Sequence, residues 1–310
     1  MHLILPFAAA QSDTGRHALQ TLRLPQLNAL LARLSATRRD NGDELSLTTP
    51  HERALARAMG LAGDDGRLPW AALSAERDGI DTGDLAWGLL TPVHWHVGTD
   101  QVSLGDPQSL ALGEPESREL FDALRPFFEE EGFTLAYGAP TRWYAAHASL
   151  AALPTASLDR VIGRNIDRWL PAAPEARLIR RLQSEAQMLL HRHPINEERE
   201  SRRDLPVNSF WLSGCGVRQP STQPADLRVD ERLRGAALAE DWGAWVEAWH
   251  AIDATLIGQL RHSAERGEAV QLTLCGERNA IEFTATRQGL WQRMSGAWRA
   301  RSAISLLDTL

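Results

Sequence analysis

The chain has 310 residues, of which 43% are hydrophobic, so it can bury a substantial core in one large domain or two ordinary ones. Its formal charge is -7 and its pI is near 5.8, with acids and bases interleaved along the sequence. This pattern lacks the basic surface that nucleic acids and anionic membranes attract. We therefore expect neither nucleic acid nor a membrane as a partner.

The two cysteines, Cys215 and Cys275, stand far apart without paired spacing. Such usage argues against a disulfide framework and against a zinc knuckle, and it fits a reducing cytoplasm. The segment MHLILPFAAAQSD has an apolar run of about eight residues and no basic leader, well short of the roughly 20 that cross a bilayer. We expect a first buried strand there, in a cytoplasmic protein.

The N-terminal part then changes to helical spacing. Thr48 or Thr49 as a cap, followed by Pro50, is typical of a helix start, and Gly60 of a helix end, which predicts a helix between them. An earlier helix is predicted by leucines that recur at intervals of three and four, at Leu24, Leu27, Leu30, Leu31 and Leu34.

Residues from Trp87 onward predict a different arrangement. Alternating large and polar side chains indicate two short strands, a helix follows over residues 117–131, and Gly138 to Pro140 closes a hairpin. Strands, helix and hairpin in this order predict a compact α+β insert at residues 88–170. The flanking segments, 1–87 and 171–310, would then form two halves of one α/β core, a sheet flanked by helices.

The C-terminal third returns to helix and then to strands. A tryptophan stripe at Trp242, Trp245 and Trp249 is more typical of a buried helical face than of a cofactor site. The segments VQLTLCG, IEFTATR and LWQRM predict three strands, followed by a last helix.

One stretch, HRHPINEERESRRDLPVNSFWLSGCG at residues 191–216, concentrates the residues that carry chemistry. It runs from the end of a long amphipathic helix, across a polar connection, into a short buried strand that ends on two glycines. We predict the functional site here, at His191, His193, Asn196, Arg199, Asn208, Trp211, Gly214, Cys215 and Gly216.

This stretch resembles a segment of the archaeal-type, cofactor-independent phosphoglycerate mutases. In that family a histidine-proline-x-asparagine-x-x-arginine run precedes a W-L-x-G-x-G strand, and an upstream hairpin carries an arginine, matched here by Arg142. The segments PVHWHVGTDQVSL, LQSEAQMLLHRHPIN and LPVNSFWLSGCG also resemble a group of proteobacterial proteins named for an RpfE-type regulatory protein. The resemblance implies an alkaline-phosphatase-like core with an inserted smaller domain.

The same resemblance implies a metal-dependent reaction for which this sequence lacks the ligands. In the mutases, aspartates and histidines hold two metal ions that activate a serine. Here the corresponding segments are PFAAAQSD and VQLTLCGERNAIEF, which contain neither the paired aspartate motif nor an aspartate-histidine pair. Alanines cannot ligate a hard cation, so we expect a degenerate relative that needs no cofactor.

The substrate-side residues that the resemblance retains are Arg142, His193, Asn196 and Arg199. Guanidinium groups bind phosphate or carboxylate in a bidentate manner, and Asn208 and Trp211 lie close by in sequence. We therefore expect a non-catalytic regulatory protein that binds a small anionic metabolite, or a protein partner, in a cleft between core and insert. The alternative is that Arg199 and Asn196 only tie a helix end in place, because both roles need the same residue types.

Other functions stay open at this stage. An active enzyme on a phosphorylated or carboxylated small molecule could use His193 as acid or base, with Arg142 and Arg199 as an anion clamp. Separately, Cys215 could be a nucleophile if His191 or His193 lowered its pKa, and Glu185 could orient a histidine or act as a base. His94 and His96, on one face of a strand, could hold zinc or another divalent ion with Asp100 or a histidine of the central stretch. Alternatively, both histidines face solvent or bond to backbone groups. A structural interaction protein with tryptophans at an interface is the third hypothesis.

Overall fold

The computed structural model describes residues 1–285 and 302–310, and it confirms the predicted α/β class. In chain order the strands are β1 (His2–Leu5), β2 (Leu34–Asn41), β3 (Ala86–Val93), β4 (Trp95–Val97), β5 (Val102–Leu104), β6 (Thr134–Ala139), β7 (Arg142–Ala146), β8 (Ser209–Val217), β9 (Leu227–Val229), β10 (Gln271–Cys275) and β11 (Asn279–Ala285).

The α-helices within the described residues alternate irregularly with these strands. They are α1 (Asp13–Thr21), α2 (Pro25–Leu31), α3 (Pro50–Met59), α4 (Trp70–Arg77), α5 (Glu114–Glu130), α6 (Leu158–Val161), α7 (Arg177–His191), α8 (Pro194–Ser201), α9 (Arg234–Leu238), α10 (Trp242–Ile252), α11 (Gly258–Glu265) and α12 (Ala303–Leu307). No helix in residues 1–285 or 302–310 combines the length and the apolar character needed to cross a bilayer.

The first compact unit, unit 1, contains Met1–Glu44, Thr49–Met59 and Thr222–Leu310. Its five-stranded sheet has the order β2-β11-β10-β1-β9, in which β1 runs parallel to both neighbours. The predicted first strand is therefore a central strand, which explains its continuous apolar run. The tryptophan stripe of α10 packs into the same core, where Trp245 and Trp249 are fully buried.

The second unit, unit 2, contains Leu45–Thr48 and Gly60–Ser221. Its main sheet has the order β6-β7-β3-β8, and β4 pairs with β5 in a separate small sheet. Strand β8 is hydrogen-bonded along β3, from Ser209 opposite Val93 to Val217 opposite Ala86. The predicted insert boundaries, 88 and 170, thus differ from this unit, because β8 completes the sheet that the β6–β7 hairpin begins.

Several element predictions hold and one shifts. The helix from Pro50 and the hairpin around Gly138 form as predicted, and the strands at VQLTLCG and IEFTATR are β10 and β11. The leucine helix ends at Leu31, and Leu34 is the first residue of β2. The prediction that Leu34 belongs to the helix is therefore wrong, although its spacing from the earlier leucines is helical. The predicted strand LWQRM lies outside the described residues.

Candidate functional site

The two glycines of the central stretch serve helix packing. Gly214 has φ +64°, and a Cβ there would lie 3.0 Å from the backbone nitrogen of Ala71 and from the Cβ of Trp70. Gly216 has φ +153°, and a Cβ there would lie 3.0 Å from the Cβ of Pro69. The glycines therefore let the first turn of α4 approach β8 closely.

The polar connection of the central stretch forms the short helix α8. His193 caps it, accepting a hydrogen bond at Nδ1 from the backbone N–H of Ile195 at 3.3 Å, and Pro194 occupies the first turn. A residue that caps a helix followed by proline is a recognised start signal. This capping role accounts for the placement of His193.

Asn196 is buried in α8 and uses its amide on the protein itself. Its Nδ2 donates to the carbonyl oxygens of Leu190 at 2.8 Å and Val207 at 2.7 Å, and its Oδ1 accepts from Val207 N–H at 2.9 Å. Through these bonds, α8 is joined both to the last turn of α7 and to the segment that leads into β8. This is the structural role left open as an alternative for Asn196.

Three further hydrogen bonds join Trp95 of β4 and the preceding His94 to the segment that enters β8. Asn208 accepts from the backbone N–H of Trp95 at 2.7 Å and donates to its carbonyl at 2.9 Å. His94 donates from Nδ1 to the carbonyl oxygen of Pro206 at 2.8 Å, since a carbonyl can only accept. The contacts of Asn208 with Trp95 and of His94 with Pro206 fix the positions of residues that line a cavity.

This cavity, the His94 pocket, has a volume of about 300 Å³ and lies entirely within unit 2. Its ionisable lining groups are His94, His191 and Glu200. The side chains of His191 and Glu200 make no hydrogen bond or ion pair with any described residue, and the Nε2 of His94 is likewise unused. The full lining is His94, Trp95, Val97, Leu190, His191, Asn196, Glu200, Pro206 and Asn208.

The predicted metal candidates only partly meet. The rings of His94 and His96 touch edge to face, with centroids 4.5 Å apart. Loss of surrounding water, and then the charge of a protonated His94, lower the pKa of His96 below its ordinary value. Asp100 lies exposed in the β4–β5 turn, and nowhere in residues 1–285 or 302–310 do three histidine, cysteine, aspartate or glutamate side chains gather closely enough to share an ion.

The metal centre implied by the resemblance is not supported by the residues of unit 1. The segment after β1 supplies the buried Ala8, Ala9 and Ala10, and β10 ends at the buried Cys275. A cation of the Mg²⁺ or Mn²⁺ kind needs oxygen or imidazole ligands at such a place. The described residues at these two strand ends therefore do not fit two divalent ions.

Arg199 is 1% exposed, and the protein occupies all three of its nitrogens. Its Nη1 binds Glu116 at 2.5 Å, its Nε donates to the carbonyl of Leu205 at 2.9 Å, and its Nη2 donates to the carbonyl of Leu110. No nitrogen is left for a ligand. Arg199 was predicted to bind an anion, and the anion that it binds is the carboxylate of α5.

Arg142 also binds a carboxylate of its own unit. Its Nε and Nη2 donate to the two oxygens of Asp78 at 3.0 and 2.9 Å, and Tyr144 donates to Asp78 at 2.7 Å. The bonds from Arg142 and then Tyr144 hold the pKa of Asp78 below its usual range, against the opposing effect of burial. A Cβ at Gly138 would lie 2.3 Å from Asp78, so this glycine makes room for the cluster. The predicted pair of arginines is therefore not assembled into one anion clamp.

The remaining candidates are placed apart from the His94 pocket. Burial raises the pKa of the Cys215 thiol to about 12, which leaves it protonated at neutral pH. Trp211 is buried and donates to the carbonyl of Ala156 at 3.0 Å. Glu185 faces Arg181 one turn earlier on α7, with Nε and Oε1 3.7 Å apart.

The structure thus brings His94, His191, Asn196 and Asn208 to one pocket, and it adds Glu200, which the sequence analysis missed. Asn196 and Glu200 are four residues apart in α8 and so share one helix face. The signal that could have found Glu200 was the helix start at His193 and Pro194.

Two solved structures are similar to the chain over nearly its whole length. One is a cofactor-independent phosphoglycerate mutase from Thermoplasma acidophilum, with 14% identity, a TM-score of 0.36, and coverage of 99% of this chain and 98% of that chain. The other is a protein from Pyrococcus horikoshii, with 12% identity, a TM-score of 0.39, and coverage of 95% and 91%. No protein-family model and no curated protein matches the chain. The resemblance to the RpfE-type group stays a prediction.

Proposed function

We propose that this protein is a metal-independent, non-catalytic binding protein with a regulatory role, and that the His94 pocket is its binding site. The observation that carries the proposal is that His94, His191 and Glu200 line one cavity of about 300 Å³, and that their side-chain polar atoms, apart from the Nδ1 of His94, bond to no described residue. A volume of about 300 Å³ suits a small molecule. The pocket lies within unit 2, so the proposal does not require the predicted cleft between core and insert.

The lining supports binding without covalent chemistry. The described residues that line the pocket include no serine, threonine, cysteine, tyrosine or lysine, so none offers a ligand a hydroxyl, thiol or amine nucleophile. The candidate nucleophile, Cys215, is a buried, protonated thiol elsewhere in unit 2. A ligand bound without reaction acts by favouring the conformation that binds it, which is the basis for a regulatory role.

The experiment is a thermal-shift screen of the full chain against small amines, amino acids, carboxylates and phosphosugars. A ligand that prefers the folded chain stabilises it, by about 2.7 kcal/mol at a concentration one hundred times its Kd. We expect at least one compound to raise the Tm of the wild-type chain but not of His191→Trp, which narrows the pocket. His17→Trp, on the exposed face of α1 in unit 1, is the matched control and keeps the shift.

Two results would contradict the proposal. One is a Tm shift that His191→Trp leaves unchanged, which would place the site elsewhere. The other is turnover of phosphoglycerate by the purified chain that disappears with a chelator, which would show metal-dependent catalysis.

A further inference from the structure

The charge of the His94 pocket narrows the chemistry of its ligand. Among the described residues that line the pocket, Glu200 carries the only carboxylate and none is an arginine or a lysine. An anion entering it would meet a carboxylate without a compensating guanidinium. The lining therefore disfavours the anionic ligand that the sequence predicted.

Glu200 is available as a counter-ion. It is exposed on α8 and has no partner among the described residues. Glu116 shows the contrast, because its carboxylate binds both Arg199 and Arg202. The chain has 33 basic residues, and none of those that the structure describes pairs with Glu200. This carboxylate is therefore open to a cation from outside the protein.

His94 presents an acceptor to the same ligand. Its Nδ1–H is held by the carbonyl of Pro206, so the neutral ring carries its lone pair on Nε2. The amides of Asn196 and Asn208 are occupied by backbone groups and fix the walls. The unused donors among the lining side chains are the buried indole N–H of Trp95 and one ring nitrogen of His191. The unused acceptors are the two oxygens of Glu200, the Nε2 of His94 and the other nitrogen of His191, so acceptors outnumber donors, which suits a ligand that donates hydrogen bonds.

The apolar part of the lining suits the rest of such a ligand. Trp95, Val97, Leu190 and Pro206 supply an aromatic ring and aliphatic surface. An aromatic face also attracts a cation.

We infer that the His94 pocket binds a small protonated amine with an apolar body, with Glu200 as the counter-ion and His94 as an acceptor. This inference rests on the proposed function, since it names the ligand class of the same site.

The test uses three probes of matched shape and different charge: phenethylamine, phenethyl alcohol and hydrocinnamate. Their affinities for the full chain are measured by calorimetry at pH 7.5. We expect the amine to bind about tenfold or more tightly than hydrocinnamate, which corresponds to about 1.4 kcal/mol. This preference should vanish in Glu200→Gln and persist in Glu198→Gln, an exposed glutamate two residues earlier on the same helix.

The outcomes separate the inference from the proposed function. If hydrocinnamate binds as tightly as the amine and His191→Trp abolishes both, the ligand class is wrong and the binding site stands. If the amine preference survives Glu200→Gln, the assigned counter-ion is wrong. If none of the three probes binds, the inference is overturned, and the thermal-shift screen then decides the proposed function independently.

Discussion

His94 donates its Nδ1–H to the carbonyl oxygen of Pro206 at 2.8 Å, across 112 residues of sequence. This bond joins the turn between β3 and β4 to the segment that enters β8. It also fixes which ring nitrogen of His94 is left for a ligand. The binding function that we propose depends on this orientation.

Arg199 is expected to be a structural residue. Arg199→Ala removes a buried ion pair and two backbone hydrogen bonds, and it should lower the free energy of unfolding by about 3 kcal/mol. The control is Arg202→Ala, which removes an exposed partner of the same Glu116 and should change stability little. Urea denaturation measures both. Equal effects of the two substitutions would contradict the structural role.

Gly214 is expected to be essential for the packing of α4 on β8. Gly214→Ala forces a side chain into a left-handed conformation and to within 3.0 Å of the first turn of α4, at a cost of about 2 kcal/mol. Gly235→Ala, in α9 with open space around it, should instead stabilise the chain by about 0.5 kcal/mol. Urea denaturation of both variants is the measurement, and a neutral Gly214→Ala would contradict this packing.

Cys215 is expected to be unreactive in the folded chain. Its raised pKa, about 12, and its burial leave almost no accessible thiolate at pH 7.5. Iodoacetamide should leave Cys215 unmodified in native protein and alkylate it rapidly in urea, as mapped by mass spectrometry. Rapid alkylation under native conditions would restore Cys215 as a candidate nucleophile.

His2 is expected to make unit 1 sensitive to acid. Burial lowers its pKa from 6.5 to about 4, and its Nε2 lies 2.9 Å from the hydroxyl of Thr273. Between pH 6.5 and about pH 4, His2 binds a proton more readily in the unfolded chain than in the folded chain. The contribution of His2 to the free energy of unfolding is therefore fully present above about pH 6.5 and falls as the pH approaches 4.

The measurement is the urea midpoint at pH 7 and at pH 5 for the wild type and for His2→Gln. The variant lacks the titrating ring, so its midpoint should fall less on acidification. Identical losses in both proteins would show that His2 does not contribute to the pH dependence.

The elements with strong periodicity could be predicted from the sequence. The apolar run of β1 and the tryptophan face of α10 carry patterns that burial imposes. The start of α3 carries a local signal, the cap at Thr49 followed by Pro50. The domain boundaries were harder to predict, because the pairing of β3 with β8 joins segments more than a hundred residues apart. No local pattern specifies such a pairing.

The candidate site was predicted in part for a similar reason. Residue type singles out His94, His191, Asn196 and Asn208. The position of His94 beside the others, however, involves a bond to the backbone carbonyl of Pro206, which carries no sequence signal. Arg199 has the residue type of an anion ligand and also of a buried ion pair. Only its position beside Glu116 distinguishes the two roles.

The most direct test of the binding site is an NMR titration of the full chain, with labelled histidine rings, by phenethylamine. Binding in the His94 pocket should shift the ring signals of His94 and His191 in a saturable manner and leave that of His17, in unit 1, in place. Saturable binding that leaves the signals of both His94 and His191 unmoved would contradict binding in this pocket.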